Sequence, residues 1–246
     1  MNNLHLLNVL DDLLNPGQFI DYCPNGLQIQ GSANISKVLF VVSVSQKVIE
    51  YAINNDYDAI VAHHGLFWNK SPYNLTGIQY KRVSSIIKNN INLYAYHLPL
   101  DNHPILGNNA QLANLFDFSV HGQTGEQGLL WYGSLKQEVS LRNLLDQYSK
   151  STEHNAIYFG AEDQKINRVA WCTGGAQNMF MQAIQMGVDC YITGEVNEQV
   201  MALAEESGVS YIAGGHHVTE RYGIKALSNH MSSYLPCDYI EFYNPI

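Results

Sequence analysis

The sequence predicts an α/β chain of two similar halves, an internal duplication, with a metal site in the cleft between them. Three observations predict it. Residues 35–65 lie over residues 166–196 without a gap, at an offset of 131 (166 − 35). Identities fall at Ile35/Ile166, Val38/Val169, Gln46/Gln177, Ala52/Ala183, Ile53/Ile184 and Asp58/Asp189. The two segments also share one order of patterns: strand, turn, helix, then an aspartate opening a second strand. Finally, histidines and carboxylates gather directly after strand-like runs, where α/β folds place their chemistry.

The elements follow in order. Leu4, Leu7, Leu10 and Leu14 recur at helical spacing, so residues 1–14 read as an amphipathic helix. Asp11 and Asp12 inside that pattern, without a basic flank, separate it from a signal peptide. Val38–Val42 is a buried-strand run and Ser45 a helix N-cap. Val48, Ile49, Ala52 and Ile53 recur as a helix, and Asp58–Ala62 begins the next strand. A helix through Val83, Ile86 and Ile87 leads to a third strand, Ile91–Tyr96. In the second half Val169–Thr173 is the first strand, Met179, Phe180, Ala183 and Ile184 mark the helix, and Asp189–Thr193 is the second strand. Val200, Leu203 and Ala204 then lead to Val209–Ala213. Between the halves lie a glycine-rich joint (121–128), a strand over Leu129–Leu135 and a helix carrying Leu141, Leu144, Leu145 and Tyr148. The halves therefore run about 1–125 and 126–246, each a β-α-β-α-β unit whose crossovers favour parallel pairing.

Composition narrows the function classes. The 246 residues are 46% apolar and only 14% charged, which is globular and unlike a disordered chain. A formal charge of −9 gives no basic footprint for duplex nucleic acid. No apolar run approaches the ~20 residues of a membrane span. Cys23, Cys172, Cys190 and Cys237 form no C-x-x-C pair and read as ordinary thiols rather than a disulfide framework. The expected location is the cytoplasm.

Three clusters carry the chemistry. His63-His64 end a strand-like run, and Gly65 permits the turn that would let both rings reach one site. His97-Leu98-Pro99-Leu100-Asp101 reads as a loop, because Pro99 pushes Leu98 toward extended backbone. Asp101 is read there as a ligand; His97 stays open between ligand, outer hydrogen-bond partner and substrate contact. Gly214-Gly215-His216-His217-Val218-Thr219-Glu220 opens a helix, and its i, i+4 spacing puts His216 and Glu220 on one face. Imidazole with carboxylate suits zinc, iron, nickel or manganese. About five such groups exceed what one tetrahedral ion uses, which favours two divalent metal ions sharing a carboxylate. Thr173-Gly174-Gly175-Ala176 reads as a tight turn, since it lacks a phosphate-loop lysine. Glu195, in Thr193-Gly194-Glu195, occupies the repeat position of His64.

These residues resemble the Nif-three-like family, also known as GTP cyclohydrolase I type 2 homologs. The motifs are Asp21-Tyr22-Cys23-Pro24-Asn25-Gly26-Leu27-Gln28, Ala62-His63-His64-Gly65, His97-Leu98-Pro99-Leu100-Asp101 with Gly107-Asn108-Asn109-Ala110, Thr193-Gly194-Glu195 and Gly215-His216-His217-Val218-Thr219-Glu220. They run in family order, so the resemblance treats residues 1–246 as a single compact Nif-three-like unit. It implies two similar α/β halves and six subunits in a toroid. It also implies a dinuclear site on His63, His64, Asp101, His216 and Glu220. The family name implies opening of the GTP ring at C8 of guanine.

Two classes of function follow. A metal-dependent hydrolase would act on a nucleotide-like or phosphate-bearing small molecule, with Glu195 or His97 relaying protons. Alternatively, the same ring would be a non-catalytic metal-binding or protein-interaction scaffold.

Overall fold

The computed structural model describes residues 1–69, 74–242 and 244. In chain order the elements are α1 (Asn3–Leu14), β1 (Gly26–Ile29), β2 (Val38–Ser43), α2 (Gln46–Asn54), β3 (Ala59–His64), α3 (Gly77–Lys88), β4 (Asn92–Ala95) and α4 (Leu98–Asn102). Then come α5 (Asn108–Phe116), β5 (Ser119–Thr124), β6 (Leu130–Ser140), α6 (Leu141–Thr152), β7 (Ile157–Phe159) and β8 (Lys165–Trp171). The chain continues with α7 (Phe180–Gln185), β9 (Cys190–Thr193), α8 (Gln199–Ser207), β10 (Ser210–Ala213), α9 (His216–Met231) and β11 (Cys237–Tyr239). Two compact α/β units result: Met1–Gly107 with Gly223–Tyr243, and Asn108–Tyr222 with Asn244–Ile246.

The first unit holds a sheet of order β1-β4-β3-β2-β11. Strands β2, β3, β4 and β11 pair in parallel, and β1 runs antiparallel to β4. Its central strands are apolar on both faces, as a parallel sheet covered on both sides requires. Val38, Phe40 and Val42 face one core with Leu6, Leu10 and Leu14 of α1. Leu39 and Val41 face the other, with Val48, Ile49 and Ala52 of α2 and Val83 and Ile86 of α3. Helix α1 starts where the Asn2 side chain accepts the Leu4 N–H, and α2 where Ser45 accepts that of Val48.

The second unit holds a sheet of order β5-β6-β8-β9-β10-β7, with β8, β9 and β10 parallel. Val169, Trp171, Cys190, Ile192 and Ile212 face helices α5 and α6 through Phe116, Leu144 and Tyr148. Ala170, Tyr191 and Tyr211 face α7 and α8 through Phe180, Ala183 and Val200.

The repeat is visible as hydrogen bonds. Val38 pairs with Ala59 and Val169 with Cys190, one register at the offset of 131 (169 − 38 and 190 − 59). Asp58 Oδ2 accepts the N–H groups of Ser36 and Lys37, and Asp189 Oδ2 those of Asn167 and Arg168. The paired aspartates are therefore clamps that hold the start of the first strand beside the second. A further correspondence escaped the sequence: β1 and β7 each run antiparallel beside the third strand of their unit.

The units do not divide near residue 125. Helix α5 and strands β5 and β6 build on the second unit, which moves the first boundary back to Gly107. The return lies inside α9, whose Ile224, Leu227 and Met231 join Leu6 and Leu10 in a first-unit core. Residues 98–102 are not a loop either. They form α4, with His97 at its N-cap and Pro99 in its first turn. Proline is tolerated there because the first N–H groups of a helix have no intrahelical acceptor.

Candidate metal centre

In the first unit, β3 carries His63 and His64 at its C-terminal end, with ring centroids 4.5 Å apart. Gly65 serves them by its size rather than by a left-handed backbone, since its φ is not positive. A Cβ there would collide with the Gln28 amide and lie 2.7 Å from Ala95 Cβ. His63 is fully buried; its Nδ1 lies 3.0 Å from the carbonyl of Tyr96. A carbonyl only accepts, so Nδ1 carries the proton and Nε2 the lone pair. That Nε2 stands 3.5 Å from Oδ1 of the buried Asp101. His64 Nδ1 meets Ser43 Oγ at 2.9 Å. Each of His63, His64 and His97 brings one ring nitrogen within 4.8 Å of the others, a grouping that could hold a metal ion.

His97 is also buried, and its Nδ1 lies 2.9 Å from Asp21 Oδ1. Burial works to raise the Asp21 pKa. The hydrogen bond and charge of His97, with further donors from Cys23 and Asn25, outweigh it and hold the carboxyl down at about 2.

In the second unit the first turn of α9 carries His216 and Glu220. His216 Nε2 lies 3.1 Å from Glu220 Oε2, as the i, i+4 spacing requires. Glu195, just after β9, places Oε1 2.7 Å from His216 Nδ1. Its Oε2 accepts from Gln177, and its backbone carbonyl from Tyr211. Burial lowers the His216 pKa, but the hydrogen bonds and charges of Glu220 and Glu195 prevail and raise it to about 9. The glycine turn after β8 wraps this pair. Gly174 has φ +69°, and a Cβ on it would strike the Glu220 carboxylate.

Each unit therefore brings its own sequence-predicted residues together: His63, His64, His97 and Asp101 in the first, His216, Glu220 and Glu195 in the second. Sequence reasoning missed Asp21, Ser43 and the Tyr96 carbonyl, and it read Gly174 as part of a tight turn without seeing its contact with Glu220. Asp21 left a signal as the first residue of a motif to which no role was given.

Histidine and carboxylate groups that could hold a metal, set beyond the strands of a repeated α/β frame, define a class, and comparison with known proteins supplies the family. The family profile described as Duf34/NIF3 (NGG1p interacting factor 3) matches residues 1–243. A Yersinia pestis protein called GTP cyclohydrolase 1 type 2 homolog is 42% identical over 248 residues, covering 100% of both chains. Among solved structures, that of the structural-genomics protein ybgI, its function given as unknown, has a TM-score of 0.96 and 38% identity, covering 100% of both chains. The crystal structure of TTHA1606 from Thermus thermophilus gives 0.89 and 27%, also over 100% of both. The chain belongs to the Duf34/NIF3 family. No helix among the described residues is long and apolar enough to cross a membrane.

Proposed function

We propose that this chain is a metal-dependent hydrolase of a nucleotide-like or phosphate-bearing small molecule. Two divalent ions would be held by His63, His64, Asp101, His216 and Glu220. One observation carries the reading: both units build the same donor arrangement. An imidazole is tied at Nδ1, by the Tyr96 carbonyl or by Glu195, and meets a carboxylate at Nε2, Asp101 or Glu220. Ligand histidines are oriented in this way, through a hydrogen bond from the nitrogen that does not bind the metal. The mixed nitrogen and oxygen donors fit zinc, iron, manganese or nickel rather than an all-oxygen ion. When bound, such ions supply Lewis acidity and lower the pKa of water.

The remaining work falls to the chain. Glu195 is engaged by His216, so its first task is to hold that ring in place. His97 is then the group available to accept a proton near the first-unit donors, its Nδ1 being occupied by Asp21. The relatives' name points to GTP as one substrate to try. The resemblance further supports a homohexamer, which light scattering at micromolar concentration tests.

The deciding experiment is turnover by anaerobically purified, metal-quantified protein against a panel of nucleotides and phosphoesters. Metal-dependent hydrolysis of one of them supports the proposal. A fully loaded chain inert on the whole panel would move the weight to a metal-binding scaffold.

A further inference from the structure

The motif Asp21–Gln28 has no part in the ligand set, yet it touches both segments that carry first-unit ligands. Gln28 Oε1 accepts the Leu66 N–H at 2.9 Å, just past His63-His64, and its Nε2 donates to the Pro24 carbonyl at 3.0 Å. The Tyr22 carbonyl accepts the Asn69 N–H at 2.7 Å. On the other side, Asn25 Oδ1 accepts the His97 backbone N–H at 2.8 Å.

Asp21 is the most heavily engaged member. Its Oδ1 accepts from the Cys23 N–H at 3.0 Å and from His97 Nδ1 at 2.9 Å. Its Oδ2 accepts from Asn25 Nδ2 and the Leu98 N–H, each at 3.0 Å. Four donors use the acceptor sites a carboxylate has, so Asp21 is spent on positioning. Tyr22 and Trp68 pack edge-on against the His97 ring, with centroids at 4.9 Å and 5.2 Å. The ring thus has its backbone, its Nδ1 and its flanks all fixed.

We propose that the Asp21–Gln28 segment is a brace for the two ligand-bearing segments, and that Asp21 is the positioning residue that locks His97 in the Nδ1–H form. Nε2, on the ring edge away from Nδ1, then keeps its lone pair as an acceptor toward a substrate or water held beside His63 and His64. Asp21 acts only through His97. The service of that ring rests on the proposed metal centre; the locked tautomer does not, so the two fail separately.

Two-bond proton–nitrogen correlation spectra of the 15N-labelled, metal-free full chain test the lock, at about pH 8, above the ordinary imidazole range. The wild-type spectrum should show His97 protonated at Nδ1 alone. Asp21→Ala should release the ring to the Nε2–H form, while Asn25→Ala, which removes the backbone tie, should leave it at Nδ1–H. A general loss of stability would not move the proton in this selective way. A wild-type His97 protonated at Nε2, or a ring unchanged in Asp21→Ala, overturns the proposal. Should Asp21→Ala not fold, the wild-type spectrum alone decides. Zinc uptake measured on the same samples judges the metal centre independently.

Discussion

The two units share a frame and differ in what they hang on it. The second strand ends in His63-His64 in the first unit, and in the second unit Gly194-Glu195 follow directly after it, at the common offset of 131 (194 − 63). By the third strand the offset has become 118, since Ala59 pairs with Asn92 and Cys190 with Ser210 (210 − 92). The second unit's connection is 13 residues shorter (131 − 118). The same 118 relates Leu98 and His216, the first residues of α4 and α9 (216 − 98). Both units thus start a helix directly beyond the third strand, and both put site residues there. The first unit draws two imidazoles from a strand and one carboxylate from a helix. The second draws imidazole and carboxylate from one helix turn, and its strand-end Glu195 supports a ring. The frame sets where a side chain begins; its identity decides whether it binds or braces.

The sharpest break in this comparison is at Gly174, the repeat partner of Ser43 (174 − 43 = 131). Ser43 carries a side chain that reaches His64, whereas Gly174 has φ +69° and no room before Glu220. Gly174→Ala should cost at least the ~1–2 kcal/mol of a left-handed residue with a Cβ. It should also displace Glu220, so that metal uptake falls with the melting temperature. Retention of both would show that the wrap around Glu220 is dispensable.

Glu195→Gln comes next. An orienting carboxylate is worth roughly 10–100-fold in metal affinity, so isothermal titration should find that loss. If affinity holds while turnover drops by ~10²–10⁴-fold, the usual worth of acid–base help, Glu195 is a proton carrier instead. Ser43→Ala removes one hydrogen bond to His64 and should cost only about 1 kcal/mol in denaturant unfolding.

A further effect is one of pH. The Asp21 pKa is about 2 in the fold against an ordinary 3.8. A depressed carboxyl stabilises the fold above its unfolded pKa, and that contribution is lost as pH falls through the folded value. Stability should therefore decline between about pH 4 and pH 2, and Asp21→Asn should flatten that part of the curve.

The repeat was legible in the sequence because Asp58 and Asp189 clamp equivalent strands, leaving identities at a fixed offset. It faded beyond residue 196, where the shorter connection changes the offset. Helix α4 was hidden because Pro99 reads as a breaker, and only the fold shows that it occupies a first turn. The i, i+4 pair His216 and Glu220 was readable since helical spacing alone joins it. The bond between Asp21 and His97 spans 76 residues, and no local pattern announces it. Glu195 was placed by the repeat, but its partner lies 21 residues on and belongs to another element.

The proposal stands or falls on two metal ions being held by His63, His64, Asp101, His216 and Glu220. Anomalous diffraction from crystals of the zinc-loaded chain tests it most directly. Two peaks per chain are expected, with His63, His64, Asp101, His216 and Glu220 as ligands at ~2.0–2.2 Å. A single peak, or peaks that lack these ligands, would contradict it.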